Sequence, residues 1–334
     1  MKKLLISIVL LLSIVVVAQQ FTGNDYSLAK EQVDKGNYKE FYSEIKKGLE
    51  KNDEDAKEIL IEYFLKAVDN EDVEKVTFYL EQNRMIINSA DKDGSRAIDL
   101  ILIEENKINI EFVKLLLTYS PDLNYEVLIG QEKFTFPEKA SLHCSAVKNG
   151  AEVIKLLLDA GMNPNLLTDI QNGYSKYPPL YTSYRYNNFE VFENLLKQTS
   201  DINPIVITAK HEDTLTQLMM NEYLKVIEKS GAKLEHPSTD LLYKARRSLK
   251  YRYVHNKNMR YFTAMINAGL INRTSKKELK NVFVYLASTG EVDATELFVS
   301  NGICKKYKDL CELAAHAAGQ ENFYQVKNII KKGK

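Results

Sequence analysis

Apolar residues recur at helical spacing along most of this chain and are separated by short polar stops. The clearest example is 153–158, whose apolar positions form a wide stripe on one face of a helix. Asn149 and Gly150 come before this stripe, and both residue types tolerate the left-handed backbone of a tight turn. Gly161 follows, where a glycine commonly ends a helix. The segment therefore predicts a turn, a short helix and a glycine stop.

The same unit recurs with a nearly constant period. Amphipathic helices before and after it end in comparable stops at intervals of 31 to 41 residues. These stops are Ser120, Gly161, Thr199, Gly231, Gly269, Gly302 and Gly333. One pair of short helices cannot bury its own apolar face, so neighbouring pairs must stack. We therefore predict an all-α solenoid of about seven to nine helix-pair units.

Three of the units resemble the ankyrin repeat family. Residues 140–165 follow its pattern T-P-L-H-x-A-A-x-x-G-x-x-E-V-V-x-L-L-L-x-x-G-A-D-x-N, with Asn149 at the inter-helix glycine position. A second match lies in 91–117 and a third in 178–203, where Tyr181 takes the histidine position. The resemblance implies stacked helix-turn-helix repeats joined by hairpin or loop fingers. It also implies a concave binding face, lined by the fingers and the first helix of each repeat.

The pattern divides the chain into five segments. Residues 1–18 are a predicted signal peptide, and residues 19–25 are a short linker. We expect N-terminal helical pairs, capping or degenerate repeats, in 26–90 and clear ankyrin repeats in 91–203. Residues 204–334 are expected to hold degenerate ankyrin-like repeats and a C-terminal cap, because they keep the helix pairs but lack T-P-L-H.

The N-terminus has the pattern of an export signal. Lys2 and Lys3 precede an apolar run at 4–17, and the small residue Ala18 follows. We expect cleavage between Ala18 and Gln19. The alternative is an uncleaved membrane anchor, but the run is shorter than the roughly 20 apolar residues that a span needs. We therefore expect an exported protein, periplasmic or secreted, with no membrane span after signal removal.

Two fingers, 124–142 and 165–180, exceed the length that the family pattern needs. Insertions in repeats collect on one face, often the binding face. Tyrosine and arginine are enriched at binding hot spots. The predicted partner-binding residues of these fingers and the helix that follows are Tyr125, Phe134, Phe136, Tyr174, Tyr177, Tyr181, Tyr184 and Arg185. The alternative is that these side chains pack the fingers onto themselves.

Charge gives little direction at the level of the whole chain, since 45 basic residues balance 45 acidic ones. The strongest basic cluster is 244–260, where Lys and Arg alternate with tyrosines. Such interleaving suggests phosphate or nucleic-acid contact, which an exported protein rarely makes. An acidic protein or an anionic envelope surface is the better functional reading. A solvated helix face is the interpretation we prefer.

Motifs for catalysis or cofactor binding do not emerge from the sequence. The five histidines have no metal-ligand spacing, and neither G-x-S-x-G nor a phosphate-binding glycine loop is present. We therefore expect no enzyme activity, no catalytic residue, no cofactor and no metal. Of the three cysteines, Cys144 is expected to be a small buried helix residue. Cys304 and Cys311 could form a disulfide, but we prefer two separate, partly buried thiols.

These patterns favour a monomeric, non-enzymatic module that binds a partner protein through its fingers and first helices. An inhibitor or immunity-type protein of the cell envelope is the narrower expectation within this class. Nucleic acid is not an expected partner. The rival interpretation is an envelope glycan-binding module or a divergent hydrolase that uses the tyrosine-rich fingers. A hydrolase should place two carboxylates, or a histidine with a serine or cysteine, within hydrogen-bond reach in a cleft.

Overall fold

The computed structural model describes residues 26–103, 107–129, 132–167, 177–207, 212–229, 245–320 and 323–333. The predicted signal peptide with its cleavage site at Ala18 and Gln19, the linker 19–25 and the finger residue Tyr174 lie outside these ranges. The chain is mostly helical and divides into two compact units, 1–101 and 102–334. The predominance of helix confirms the all-α expectation.

The first unit is a set of consecutive helices. Its elements are α1 (Ser27–Asp34), α2 (Tyr38–Leu49), α3 (Glu54–Asp69), α4 (Val73–Gln82), a 3-10 helix (Arg84–Asn88) and α5 (Ala97–Leu100). Helix α1 packs on α2, α2 on α3, and α3 on both α4 and α5. Tyr38 and Tyr42 of α2 meet the Phe78 ring of α4 edge-on, a favoured aromatic geometry. Phe41 and Tyr79 are buried beneath them.

The second unit combines helix pairs with two short hairpins. Its first half contains α6 (Ile110–Thr118), β1 (Glu126–Ile129), β2 (Glu132–Thr135), α7 (Phe136–Ala146), α8 (Gly150–Asp159), α9 (Pro179–Arg185) and α10 (Phe189–Gln198). Its second half contains β3 (Ile205–Ile207), β4 (Glu212–Thr214), α11 (Leu215–Lys229), α12 (Leu249–Asn267), α13 (Leu270–Arg273), α14 (Lys276–Ser288), α15 (Val292–Ser300), α16 (Ile303–Lys306), α17 (Lys308–Gln320) and α18 (Tyr324–Lys332). Both hairpins are antiparallel.

The helices of the second unit pack as pairs in two layers. Helices α7, α9, α11, α14 and α17 each pack on a partner that follows them, namely α8, α10, α12, α15 and α18. The second members also pack on one another in order, from α6 and α8 through α10, α12 and α15 to α18. In the first layer α7 packs on α9, α11 on α14, and α14 on α17. This is the neighbour-to-neighbour packing by which stacked pairs cover their apolar faces.

The predicted stops have different backbone conformations. Four of them are left-handed: Ser120, Gly161, Gly269 and Gly302. Thr199 ends α10 with an extended backbone instead, and Gly333 is right-handed. Gly231 lies outside the described ranges. The periodic pattern therefore finds the ends of helices even where the stop does not need a glycine conformation.

The turn between α7 and α8 differs from the expectation. Neither Asn149 nor Gly150 is left-handed. A Cβ on Gly150 would lie 1.7 Å from the carbonyl oxygen of Cys144, so this glycine permits close backbone approach. The Asn149 side chain holds the loop that precedes α6, since it donates to the Ile108 carbonyl at 2.6 Å and accepts from the Ile108 N–H at 3.1 Å.

Asparagines at the end of the repeat pattern join neighbouring units. Asn124 Nδ2 donates to the Gly161 carbonyl at 3.0 Å, and Asn124 Oδ1 accepts from the Asn163 N–H at 2.8 Å. In the next unit Asn165 Oδ1 accepts from the Ser200 N–H at 2.7 Å. These hydrogen bonds connect exposed backbone groups at the end of one unit to a side chain of the unit before.

The cysteines correct one prediction. Cys304 in α16 and Cys311 in α17 form a disulfide, with their Cα atoms 5.4 Å apart, and both residues are buried. The preference for two separate thiols is therefore wrong. The sharp junction between the two helices brings the Cα atoms within disulfide range, which sequence spacing alone does not show. Cys144 is a free, buried helix residue, as expected.

The first finger is a hairpin followed at once by a helix. Strands β1 and β2 pair with Val127 opposite Phe134, and α7 begins at Phe136, inside the predicted finger 124–142. A capping box explains this start, since the Glu138 carboxylate accepts from the Thr135 N–H at 2.8 Å while Thr135 Oγ1 accepts from the Glu138 N–H. The last seven residues of the expected finger, 136–142, are therefore the start of a helix.

Candidate binding cleft

A small cleft lies between the first hairpin and helices α7 and α9. We call it the aromatic cleft, and its lining residues are Phe134, Glu138, Lys139, Leu142, Tyr177, Tyr181, Thr182, Arg185 and Tyr186. Its volume is about 70 Å³. Sites for small-molecule ligands are usually several hundred Å³, so the aromatic cleft has room for the end of one side chain.

One wall of the cleft is built by the start of α9. The rings of Tyr177 and Tyr181 stack with centroids 5.8 Å apart, and the Arg185 guanidinium lies 5.7 Å from the centre of the Tyr177 ring. Tyr181 and Arg185 are four residues apart on one helix and so share a face. Burial is the largest influence on the Tyr181 phenol and raises its pKa, while the Arg185 charge opposes that rise. The wall is thus an aromatic stack with a cation at its edge.

Apolar surface continues at the rim of the aromatic cleft. Leu142 of α7 is 38% exposed, and Tyr186, directly after α9, is 48% exposed. Neither residue was among the predicted contacts, although Tyr186 belongs to the same tyrosine-rich run as Tyr181. Leu142 stands at the leucine of the T-P-L-H motif, which the repeat pattern already explains, so its exposure has no separate sequence signal.

Tyr184 faces away from the cleft and belongs to the core. It is 2% exposed, its hydroxyl donates to Asn258 Oδ1 at 2.7 Å, and its ring meets Tyr261 edge-on at 5.0 Å. Burial is the main reason that the pKa of Tyr184 is raised far above its usual range. Tyr184 is therefore not the surface contact that was predicted, because its ring packs on Tyr261 and its hydroxyl bonds to Asn258, both in α12.

Tyr125 and Phe136 also pack inward. Their rings stack with centroids 5.3 Å apart, and they are 7% and 0% exposed. The Phe136 N–H also donates to the Tyr125 carbonyl at 2.8 Å. These two residues fasten the hairpin to α7, so the packing alternative describes them and they are not surface contacts.

The eight predicted contact residues therefore separate into groups. The aromatic cleft brings together Phe134, Tyr177, Tyr181 and Arg185. The core contains Tyr125, Phe136 and Tyr184, and Tyr174 lies outside the described residues. The four cleft residues share one location, which the sequence could not show because they come from two different fingers.

The basic cluster of 244–260 is only partly a solvated helix face. Arg252 is exposed, as that interpretation requires. Lys257 is different: its side chain is 7% exposed, and its Nζ lies 3.1 Å from Glu222 of α11. The Arg260 guanidinium lies 3.7 Å from the centre of the Phe189 ring, a cation–π contact. Lys257 and Arg260 thus make contacts within the protein and are not simply solvated charges.

The same region contains a group of ionisable side chains, which we call the Glu291 cluster: Arg246, Tyr251, His255, Glu291 and Asp293. The Glu291 carboxylate is 2% exposed, accepts from the Tyr251 hydroxyl at 2.5 Å and lies 3.5 Å from Arg246. His255 Nδ1 lies 3.7 Å from Glu291, and its Nε2 lies 3.2 Å from Asp293. Hydrogen bonding to Glu291 is the largest cause of a raised pKa for His255 and outweighs desolvation.

This cluster borders a cleft of about 320 Å³. Two carboxylates within reach of one histidine resemble the arrangement that we expected of a hydrolase. However, both ring nitrogens of His255 face carboxylates, which favours the imidazolium form, and an imidazolium has no lone pair with which to act as a base. Among the residues known to line this cleft there is no serine or cysteine. The arrangement is better suited to holding α12 against the turn before α15.

Two kinds of feature are absent from the described part of the chain. Within it, no group of three His, Cys, Asp or Glu side chains is placed to hold a metal ion. No helix in those ranges is long and apolar enough to cross a membrane.

Comparison with known proteins assigns no family. No protein-family model matches the sequence, and no curated protein matches it. The motif residues and the geometry of the two clefts are therefore the evidence for function.

Proposed function

We propose that this protein is a non-enzymatic binding module that holds a partner protein at the aromatic cleft. The observation that carries the proposal is the convergence of Phe134, Tyr177, Tyr181 and Arg185 in one place, with the exposed Tyr186 beside them. Aromatic and arginine side chains around a pocket are typical of binding hot spots. The volume of about 70 Å³ fits one anchoring side chain of a partner and not a whole substrate.

The proposal includes an ankyrin-like solenoid. Support comes from the motif residues of 140–165, from the two-layer packing of helix pairs in 102–334, and from the asparagine hydrogen bonds between neighbouring units. In this arrangement the first hairpin and the first helices α7 and α9 form the binding face.

Rigidity is the proposed basis of affinity. The capping box at Thr135 fixes the start of α7, the Tyr125–Phe136 stack holds the hairpin, and the hydrogen bond from Tyr184 anchors α9. A surface whose backbone is held in this way loses little conformational entropy when a partner binds. An inhibitor or immunity-type role is the narrower form of the proposal, because such proteins bind preformed.

We further propose that the protein is exported, periplasmic or secreted, and monomeric. The pattern of 1–18 and the disulfide between Cys304 and Cys311 support export, because disulfides persist in oxidising compartments. Co-fractionation of the mature chain with the periplasm or the medium, starting at Gln19, tests the location. Light scattering tests the oligomeric state.

The rival functions are a glycan-binding module and a hydrolase. A glycan binder needs carboxylates or amides beside its aromatic rings, yet Glu138, the carboxylate that lines the aromatic cleft, is 6% exposed and bonded to Thr135. The Glu291 cluster is the observation that favours a hydrolase. Turnover of an envelope glycan or peptide that is lost in His255→Ala and kept in Tyr181→Ala would replace our proposal with that activity.

Affinity capture from the native envelope tests the binding proposal. The baits are the unmodified protein, Tyr177→Ala and Tyr181→Ala, with Tyr324→Ala as the matched control, because Tyr324 is a 64% exposed tyrosine on α18. We expect the two cleft variants to lose the protein that the unmodified bait and the control retain, with unchanged circular dichroism. Equal capture by all four baits would remove the aromatic cleft as the binding site.

A further inference from the structure

The aromatic cleft is lined by three charged residues, one acidic and two basic, so their charges do not cancel. Glu138 is buried, and its carboxylate accepts from the N–H and hydroxyl of Thr135 at 2.8 and 3.1 Å. Its charge is therefore directed into the start of α7, where a helix stabilises anions. Lys139 is buried beside it, and Arg185 is exposed. The charge that a partner meets at the surface of the cleft is thus positive.

Arg185 also differs from other cations of the second unit. Lys257 is paired with Glu222, and Arg246 is paired with Glu291. Within the described residues, Arg185 forms no ion pair and instead lies over the Tyr177 ring. Glu222 is close enough to act on the phenol of Tyr181 electrostatically, but its carboxylate already contacts Lys257. The guanidinium of Arg185 therefore has donors available for an external acceptor.

The size and the walls of the aromatic cleft indicate which kind of side chain must lie next to that acceptor. The cleft takes the end of one side chain, and its walls are the rings of Phe134 and Tyr181 with Leu142 at the rim. The fork of donors on Arg185 suits a carboxylate, and a guanidinium stacked on a ring keeps its edge open for such a bond. An apolar anchor and a carboxylate next to it would thus be bound together.

Resting on the proposed binding function, we infer that the partner presents an acidic segment, in which an aromatic or large apolar residue flanked by Asp or Glu enters the aromatic cleft. A basic segment would bring like charge against Arg185. A neutral segment would leave the Arg185 donors without a new partner while covering them, and covering charged donors without pairing them is costly.

Three fluorescein-labelled peptides test this inference: Gly-Glu-Phe-Glu-Gly, Gly-Gln-Phe-Gln-Gly and Gly-Lys-Phe-Lys-Gly. Binding is measured by fluorescence anisotropy with protein up to about 1 mM, which detects dissociation constants as weak as about 1 mM. We expect the Glu peptide to bind at least about tenfold more tightly than the Lys peptide at about 50 mM salt. The ratio should shrink at about 300 mM salt, because the Arg185 charge is exposed and screened.

Variants at Arg185 complete the test. Arg185→Ala should bring the three affinities together, and Arg185→Glu should reverse their order. Arg252→Ala is the matched control, because Arg252 is an exposed arginine on α12 that lines the other cleft, and it should keep the original order. Circular dichroism and urea unfolding confirm that each variant is folded.

The possible outcomes distinguish failure of the acidic-partner inference from failure of the proposed binding function. Equal binding of all three peptides that is lost in Tyr181→Ala keeps the aromatic cleft as a binding site and overturns the acidic partner. Preference for the Lys peptide overturns it as well. Absence of Tyr181-dependent binding by any peptide, together with capture that is unchanged in Tyr177→Ala and Tyr181→Ala, overturns both proposals.

Discussion

The aromatic cleft and the Glu291 cluster are built from the same residue types and end with opposite roles. Each sets a tyrosine beside an arginine on helices of the second unit. In the cluster a buried carboxylate, that of Glu291, contacts Arg246, Tyr251 and His255. In the cleft the Arg185 guanidinium meets a ring and remains exposed. Tyrosine with basic residues thus becomes core or surface according to whether a neighbouring element places a carboxylate against it.

This difference separates stability from binding. Changes in the Glu291 cluster, the disulfide or the buried side of α9 should alter unfolding and leave peptide binding intact. Changes at Tyr177, Tyr181 or Arg185 should alter peptide binding and leave unfolding unchanged. A variant that changes both the free energy of unfolding and the peptide affinity would contradict this separation.

The largest effect is expected at Glu291. Glu291→Ala removes the acceptor of Tyr251 and the counter-ion of Arg246 from a site that is 2% exposed. Removing one partner of a buried pair typically costs about 3 kcal/mol or more. We therefore expect urea unfolding to show a loss of about 3 kcal/mol, with the peptide affinities of the aromatic cleft unchanged.

Asp293→Ala is the matched control for this variant. Asp293 contacts the same histidine at 3.2 Å, but its side chain is 67% exposed. Exposed ion pairs contribute less than about 1 kcal/mol, so this variant should unfold almost as the unmodified protein does. Equal losses for Glu291→Ala and Asp293→Ala would show that burial of the carboxylate is not what organises the cluster.

Removal of the disulfide should have the next largest effect. Cys304 and Cys311 are separated by seven positions and close a short loop, for which the chain-entropy relation gives about 2 kcal/mol. The double variant Cys304→Ala/Cys311→Ala should lose that amount in urea unfolding and keep its peptide affinities. Reductant should destabilise the unmodified protein and leave the double variant unaffected.

A thiol count provides an independent check of the disulfide. The unmodified protein, unfolded without reductant, should expose a single reactive thiol, that of Cys144, out of the three cysteines in the sequence. Three reactive thiols under those conditions would contradict the bridge.

Two tyrosines on α9 allow the comparison to be made within one helix. Tyr184→Phe leaves Asn258 Oδ1, which is buried, without its donor at 2.7 Å. An unsatisfied buried acceptor costs about 1–2 kcal/mol, and unfolding should report that loss. Tyr181→Phe keeps the ring in the half-buried wall of the cleft and should leave stability unchanged. Stability that falls equally in both variants would mean that α9 has no distinct core and surface sides.

The amount of this structure that sequence could predict depends on the range of each interaction. Helix pairs and their ends follow from local periodicity, and four of the six stops that the structure describes are left-handed. The division of finger residues into cleft and core did not follow, because the stack of Tyr125 on Phe136 depends on the pairing of the hairpin between them, and the bond from Tyr184 to Asn258 joins distant segments. The capping box of Thr135 and Glu138 was a local signal and could have been read.

The smallest effect, and the one with a defined sign, concerns His255. Glu291, Asp293 and the Tyr223 hydroxyl face its ring nitrogens, Tyr251 stacks on it, and Arg246 opposes their charge from beyond Glu291. Because the folded-state pKa is raised, the imidazolium stabilises the fold fully below the ordinary value of about 6.5 and loses this contribution as the pH rises through the folded-state pKa.

The free energy of unfolding of the unmodified protein should therefore exceed that of the His255→Gln variant by more at about pH 5.5 than at about pH 8.5. The lower limit stays above the range in which the carboxylates themselves take up protons. His316→Gln, which alters an exposed histidine of α17, should show no such dependence. A difference that grows with rising pH would mean that His255 is held neutral, as a general base would be, and the Glu291 cluster would then resemble an active site more than a structural joint.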